Sequence, residues 1–261
     1  MDLYTQDSEI FANMDYEFAL FRKSKPESKI LSFFRERGIP AKYAKSNQGL
    51  HTIGVFKNKK FCGPAFVIYG PNDFFYGEFV DSKKSGAGCH LYSNGFVYIG
   101  DYYEDKKVKG IVIEHASGED IYRGDWHEDN YSGFGKLRNP FQNSSYEGEF
   151  ARGLFDGFGK LTWSTGDYYE GQFRQGKMHG RGTLVLVGQG TYSGCFNGGT
   201  FHGRGSIRYT TGDSYDGNFE RGSIHGPGDL NFSEGMSVRG EWSHNQSQRV
   251  VYSVKDLELE F

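Results

Sequence analysis

Between Tyr169 and Ser214 one order of apolar and polar positions occurs twice, 23 residues apart. Each copy opens aromatic, variable, Gly, variable, aromatic: Tyr169-Glu170-Gly171-Gln172-Phe173, then Tyr192-Ser193-Gly194-Cys195-Phe196. Period-two alternation predicts a strand with one face buried. A Gly follows (Gly176, Gly199), then His-Gly-Arg-Gly (His179–Gly182, His202–Gly205), then a second alternation. In Gly159-Lys160-Leu161-Thr162-Trp163, Leu161 and Trp163 fall on one side and Lys160 and Thr162 on the other. Ile207/Tyr209 and Leu230/Phe232 repeat that step. Ser164-Thr165-Gly166-Asp167 and Thr210-Thr211-Gly212-Asp213 then supply the Gly that a tight hairpin turn uses for positive φ. Each unit therefore predicts two antiparallel strands.

Steps of 23 or 24 residues find the same opening at Thr52, Phe75, Tyr98, Tyr122, Tyr146 and Tyr215, and in part at Val238. That makes eight units and part of a ninth, and a fixed period in this range marks a repeat architecture. The expected fold is mainly β: an elongated open meander of antiparallel β-hairpins with short N-terminal helices. At about 4.8 Å per strand, each unit advances roughly 10 Å, which makes a ribbon of about 80 Å. The chain divides into an N-terminal helical cap segment (1–50), the repeat array (51–251) and a C-terminal tail (252–261), and the unbroken register favours one domain.

Tyr-x-Gly-x-(Phe/Trp), a Gly, His-Gly-x-Gly and a Gly-Asp turn together resemble the MORN (membrane occupation and recognition nexus) repeat, from about Thr52 to Trp242. The resemblance implies a non-enzymatic scaffold, commonly of cilia, flagella and other cytoskeletal structures, sometimes of membrane junctions. It implies an aromatic groove that holds a helical or extended partner segment. By position, that groove takes Tyr122, Trp126, Tyr146, Phe150, Trp163, Tyr169, Phe173, Tyr192, Phe196, Tyr209, Tyr215 and Phe219. Two units depart from the pattern. Lys106–Gly110 lacks a clean Gly-x-Gly, and 138–144 (RNPFQNS) replaces the usual turn, so a bulge or kink is expected near 105–145.

The flanks are different. Phe11, Met14, Phe18 and Phe21 recur at helical spacing in Ser8–Arg22. That helix either packs on its own sheet, is offered to another protein, or occupies the groove until a partner displaces it. Pro26–Arg37 is the clearer helix, with Pro26 in its first turn and Gly38 at its stop. It is read as a cap over the first strand, because a solenoid's open edge pairs with other chains. Val250–Phe261 alternates and reads as a last strand or a tail that pairs with a partner.

Charge adds a second candidate surface. From Arg22 to Lys60 there are eleven Lys or Arg against Glu27 and Glu36. Lys57, Lys59, Lys60, Lys83, Lys84, Lys106, Lys107 and Lys109 fall around successive hairpin loops and predict a basic edge. Its bland reading is a solvated edge that discourages strand pairing. Its functional reading is docking to an acidic surface such as tubulin, actin or anionic lipid.

Over the whole chain the net charge is −3, which argues against generic nucleic-acid binding. Cys62, Cys89 and Cys195 are widely spaced and, without a signal peptide, read as reduced cytosolic thiols. His179, His202 and His225 recur about 10 Å apart, too far to share a metal ion. No catalytic motif is present, so neither catalysis, metal nor cofactor is expected. Two functions remain. The first is an interaction scaffold in a large cytoskeletal complex, cytoplasmic and of the ciliary or flagellar axoneme by analogy. The second is a peripheral membrane scaffold binding acidic phospholipid through the basic edge.

Overall fold

The computed structural model describes residues 26–46, 50–114 and 116–254. The helix expected over Ser8–Arg22 and most of the C-terminal tail lie outside the described residues. The chain forms two compact units, Met1–Gly118 and Glu119–Phe261, each taken by itself. The boundary falls where the repeats run to 24 residues.

In the N-terminal unit, helix α1 (Pro26–Glu36) precedes seven strands: β1 (Lys42–Lys45), β2 (His51–Lys57), β3 (Lys60–Gly70), β4 (Asp73–Val80), β5 (Lys83–Leu91), β6 (Phe96–Tyr103) and β7 (Lys106–Glu114). The C-terminal unit holds β8 (Asp120–His127), β9 (Asn130–Asn139), β10 (Ser144–Ala151), β11 (Leu154–Trp163), β12 (Tyr168–Arg174) and β13 (Lys177–Leu186). It continues with β14 (Gly190–Asn197), β15 (Thr200–Tyr209), β16 (Ser214–Glu220), β17 (Ser223–Asn231), β18 (Met236–Ser243) and β19 (Gln246–Val254). Within each unit every strand pairs antiparallel with the next in sequence, and among the described residues no pairing closes either meander into a barrel.

One device repeats through the C-terminal unit. Gly148, Gly159, Gly171, Gly182, Gly194, Gly205, Gly217 and Gly228 face one another across successive strands as a ladder. A Cβ on Gly182 would run into the hydroxyl and ring of Tyr169, and one on Gly171 into the same hydroxyl and the Gly182 backbone. The ring of the opening Tyr thus lies flat over the ladder, and Gly is required because the ring fills the space. The Tyr169 hydroxyl then donates to the carbonyl of Gln172 at 2.8 Å, as Tyr146 does to Glu149 at 2.9 Å and Tyr192 to Cys195 at 2.8 Å. Rings pack edge-on along the row, Tyr146 to Phe150 at 5.0 Å and to Phe173 at 5.2 Å, and stack on the partner strand, Tyr146 on Phe155 at 3.8 Å. A single-layer sheet has no second layer to bury its core, so the rings bury one another. We call this side the tyrosine face and the other the reverse face.

The hairpin inside each repeat closes with two residues at positive φ, Arg152–Gly153 or Gln175–Gly176 for example, as a tight I′-type connection requires. The second of these donates back to the previous hairpin, Gly176 N to Phe155 O at 2.8 Å and Gly199 N to Met178 O at 2.9 Å, which ties each repeat to its neighbour. The bulge expected only near 105–145 occurs in the regular repeats too, for example between Gly148 and Phe150 and between Gly171 and Phe173. The Gly-x-Gly strand carries extra residues opposite its partner there, and its first Gly (Gly157 at φ 103°) takes up the turn.

The capping helix needs correction. Helix α1 does contact the first strands, β1 and β2, but it packs on one face of the sheet and not along the pairing edge, where β1 pairs with β2. Ile30 and Phe34 are buried against Ile53 and Phe66, with Phe33 6.0 Å from Tyr76. These partners stand in register with one another, one residue off the tyrosine stripe, so α1 sits on the reverse face.

Candidate functional site

The sequence places twelve aromatics along a binding groove, and the structure puts most of them elsewhere. Tyr122, Tyr146, Phe150, Tyr169, Phe173, Tyr192, Phe196, Tyr215 and Phe219 are each at most 4% exposed. They are the core of the sheet, on the tyrosine face. Trp126 and Trp163 are half-buried on the same face, and Tyr209 is exposed. Burial raises the phenol pKa values, Tyr169 and Tyr215 to about 12. These side chains are consumed by the fold and are not free to grip a partner.

A groove does exist, on the reverse face of the C-terminal unit, with a volume of about 930 Å³. None of the twelve aromatics lines it. Its floor is the bare backbone of the glycine ladder from Gly148 to Gly205. One wall is a cross-strand row next to the glycines, before them on one strand and after them on the next: Glu147, Lys160, Glu170, Thr183, Ser193, Ser206 and Asp216. The other comes from the middle residues of Gly-x-Gly: Phe134, Phe158, Arg181 and Arg204, with Cys195 beside them. The sequence pattern produces this shape directly. Side chains point to the reverse face on either side of each glycine, and the glycine itself adds nothing there.

Most charges on the first wall are paired. Lys136 Nζ lies 2.9 Å from Glu147 Oε2 and Lys160 Nζ 3.5 Å from Glu170 Oε2. Thr183 and Ser193 hydroxyls are 3.1 Å apart. Further along the row Arg239 grips Asp229 through two bonds of 2.7 and 3.0 Å, which holds that carboxyl below the ordinary range. On the second wall, the polar residue four places into the repeat stiffens the bulge. Phe158 N donates to Glu149 Oε1 at 2.9 Å and Arg181 N to Gln172 Oε1 at 2.9 Å. Phe134 is 56% and Phe158 60% exposed, unusual for aromatics that a fold could have buried.

Register fixes the counterparts of the first wall in the N-terminal unit. They are Ile53, Phe66, Tyr76, Cys89, Ile99 and Ile111. There the same row is apolar, and α1 covers its first half.

The basic edge is also altered. Lys57, Lys59, Lys60, Lys83, Lys106 and Lys109 are exposed. Lys60 lies 3.7 Å from Asp81 and Lys83 3.2 Å from Glu104, so acids of the next loops interleave with the lysines. Lys84 and Lys107 turn away from the edge onto the tyrosine face. Lys84 Nζ sits 4.4 Å from the Phe75 ring centroid and Lys107 Nζ 5.4 Å from that of Tyr98. They occupy slots that elsewhere hold a stacking ring such as Phe155, so cation–π attraction replaces stacking.

Among the described residues no group of three or more His, Cys, Asp or Glu could hold a metal ion, and no helix is long and apolar enough to cross a membrane. The family model of the MORN repeat matches residues 75–97, 122–140, 146–168, 169–191, 192–214 and 215–237, just over half of the chain. The chain belongs to the MORN-repeat family. Arrays of this kind are repeat scaffolds for protein or membrane interaction. The units opening at Thr52 and Tyr98 lie outside these matches yet form the same strand pair, β2–β3 and β6–β7. A search of curated proteins found no match.

Sequence reasoning missed the groove walls of this MORN array. It passed over Glu147, Phe134, Phe158, Arg181 and Arg204. The available signal was an aromatic or Arg at the centre of a Gly-x-Gly, where a small polar residue would serve the hairpin as well.

Proposed function

We propose that this MORN array is a non-enzymatic protein–protein interaction scaffold that seats a partner polypeptide in the reverse-face groove of its C-terminal unit. One observation carries the reading: the groove of about 930 Å³ has a continuous floor without side chains, while the tyrosine stripe is fully used by the fold. A precedent supports it, since at the same register of the N-terminal unit the chain's own helix α1 is docked. The partner belongs, in this proposal, to a large cytoskeletal complex in the cytoplasm, of the ciliary or flagellar axoneme. Family resemblance alone supports that placement.

Acidic phospholipid is the alternative partner. The acids interleaved along the basic edge and the inward turn of Lys84 and Lys107 weigh against it.

Cross-linking mass spectrometry on protein purified from its own cells tests the groove. A photo-reactive residue at Thr183 is expected to capture a partner peptide that one placed at the exposed Tyr209, outside the groove lining, does not. Equal capture at both positions would overturn the reading. Detergent extraction tests the placement: the protein should stay with the axonemal fraction, and full release would refute the axonemal assignment.

A further inference from the structure

The two groove walls differ in how far their charges are satisfied, and that difference identifies the occupant. Glu147 and Glu170 are each engaged by a lysine of the neighbouring strand. Arg181 and Arg204 are both exposed, and neither guanidinium has a hydrogen bond or an ion pair within 4.0 Å among the described residues; Arg204 acts on the Asp229 carboxylate only from farther off, and that carboxylate is already held by Arg239. Each stands at the centre of a Gly-x-Gly, where its backbone is fixed by the bulge. Beside them on the same wall Phe158 and Phe134 leave more than half their surface in water.

We propose, resting on the groove reading above, that the groove's occupant is an acidic polypeptide segment that also carries a bulky apolar side chain. Its carboxylates pair with Arg181 and Arg204, and its apolar group covers Phe158. A planar guanidinium takes a carboxylate in two parallel bonds, so arginine rather than lysine at both positions favours this geometry. The two arginines stand two strands apart, about 10 Å. An extended chain covers that distance in about three residues and a helix in about seven. The occupant therefore repeats an acidic residue at one of those intervals. Phe158 and Phe134 extend the same wall by apolar contact, which sets direction: acidic residues toward β15, apolar ones toward β9 and β11.

The test uses the full chain and two dye-labelled synthetic peptides. One repeats Glu-Leu-Phe, which sets the acids three residues apart; the other has Lys in place of each Glu. The acidic peptide is expected to bind and the Lys peptide not to. R181E/R204E should weaken the acidic peptide by about a hundredfold, roughly tenfold for each charge-assisted contact, and should gain affinity for the Lys peptide. R181Q/R204Q, a milder surface change, should lose most of the same affinity, with circular dichroism unchanged in both. Equal binding of the two peptides, or an unaltered affinity in both double variants, would overturn the proposal. Flotation with phosphatidylserine vesicles that R181E/R204E abolishes would also overturn it, in favour of lipid. A photo-reactive Thr183 position separates the two readings. Capture of the Lys peptide alone sinks the acidic assignment and keeps the groove; capture of neither peptide sinks both.

Discussion

The two units of this chain share a backbone plan and differ in what their reverse faces carry. In the N-terminal unit the row beside the glycine ladder is Ile53, Phe66, Tyr76, Cys89, Ile99 and Ile111. In the C-terminal unit the same row is Glu147, Lys160, Glu170, Thr183, Ser193, Ser206 and Asp216. The first half of the apolar row is buried against α1, and the polar row stays in water as a groove wall. The tyrosine face differs less: Phe75 and Tyr98 of the N-terminal unit are fully buried, like Tyr122, Tyr169 and Tyr215 of the C-terminal unit. One face therefore makes the repeat, and the other is free to vary. Stability belongs chiefly to the tyrosine face, and in the N-terminal unit also to the helix.

That division predicts where damage is local. Phe34 is fully buried between α1 and the sheet. Phe34→Ala should cost about 3–5 kcal/mol. Because repeat arrays gain stability from neighbours, the loss should appear in amide exchange of β2–β4 and leave β12–β16 unchanged. Equal loss of protection in both sets would mean that the units do not unfold separately.

Next comes the glycine ladder. Gly182→Ala places a methyl group into the Tyr169 ring, at an expected cost of about 3 kcal/mol by urea unfolding. The N-terminal unit supplies the control. Ala65 already occupies a ladder position there, beside a repeat that opens with Thr52 instead of Tyr. Ala65→Gly should therefore cost no more than about 1 kcal/mol. If both changes cost the same, the ring is not what demands glycine.

A third contrast is titratable. His90 fills the stripe position that Leu161, Leu184, Ile207 and Leu230 hold in the C-terminal unit. It bonds Asp73 Oδ1 at 2.9 Å and stacks on Tyr92 at 4.0 Å. Burial lowers its pKa from 6.5 to about 4, against the opposing pull of Asp73. The unfolded chain then binds the proton more readily than the folded one. Stability is complete above about pH 6.5 and is lost as pH falls toward 4, by on the order of 2 kcal/mol. Thermal melts of the N-terminal unit should show this slope, and His90→Leu should flatten it. A slope that survives the substitution would assign it to other groups.

Removing one hydroxyl should matter less. Tyr169→Phe leaves the ring over Gly182 and takes away the bond to the Gln172 carbonyl, for a loss of about 1 kcal/mol. The same phenol gives an alkaline limit. With its pKa raised to about 12, it contributes stability that is complete below pH 10 and lost as pH rises toward 12.

Much of this was readable in the chain. Alternation and the regular glycines specify strands, hairpins and register, and Pro26 with Gly38 brackets α1 within a residue or two. Which face stays open was misjudged, because alternation marks an apolar side and does not say whether those side chains cover one another. Rings as large as Tyr146 and Phe150, set over glycines, do cover one another. The contrast between the units was nevertheless present at the second position of each repeat: Ile53, Tyr76 and Ile99, then Arg123, Glu147, Glu170, Ser193 and Asp216. Lys84 and Lys107 were placed on the edge because a hairpin loop precedes each one. Their turn onto the tyrosine face follows from cross-strand register, Phe79 opposite Lys84 and Tyr102 opposite Lys107, which loop position alone does not give.

The smallest expected effect on stability is the sharpest test of function. Lys160 stands on the first wall, exposed, and pairs with the exposed Glu170 at 3.5 Å, its ammonium 4.2 Å from the Tyr168 ring centroid. Exposed pairs of this kind contribute little, so Lys160→Ala should shift stability by less than about 0.5 kcal/mol. It also frees Glu170, which turns the first wall more acidic opposite Arg181 and Arg204. An acidic occupant would then meet repulsion, and its affinity should fall about threefold to tenfold while the melting curve stays in place. The matched change in the N-terminal unit, Phe66→Ala, should do the reverse: a loss of about 3 kcal/mol in folding and none in binding. If Lys160→Ala leaves affinity untouched, the first wall takes no part in recognition, and the occupant lies against Arg181, Arg204 and Phe158 alone.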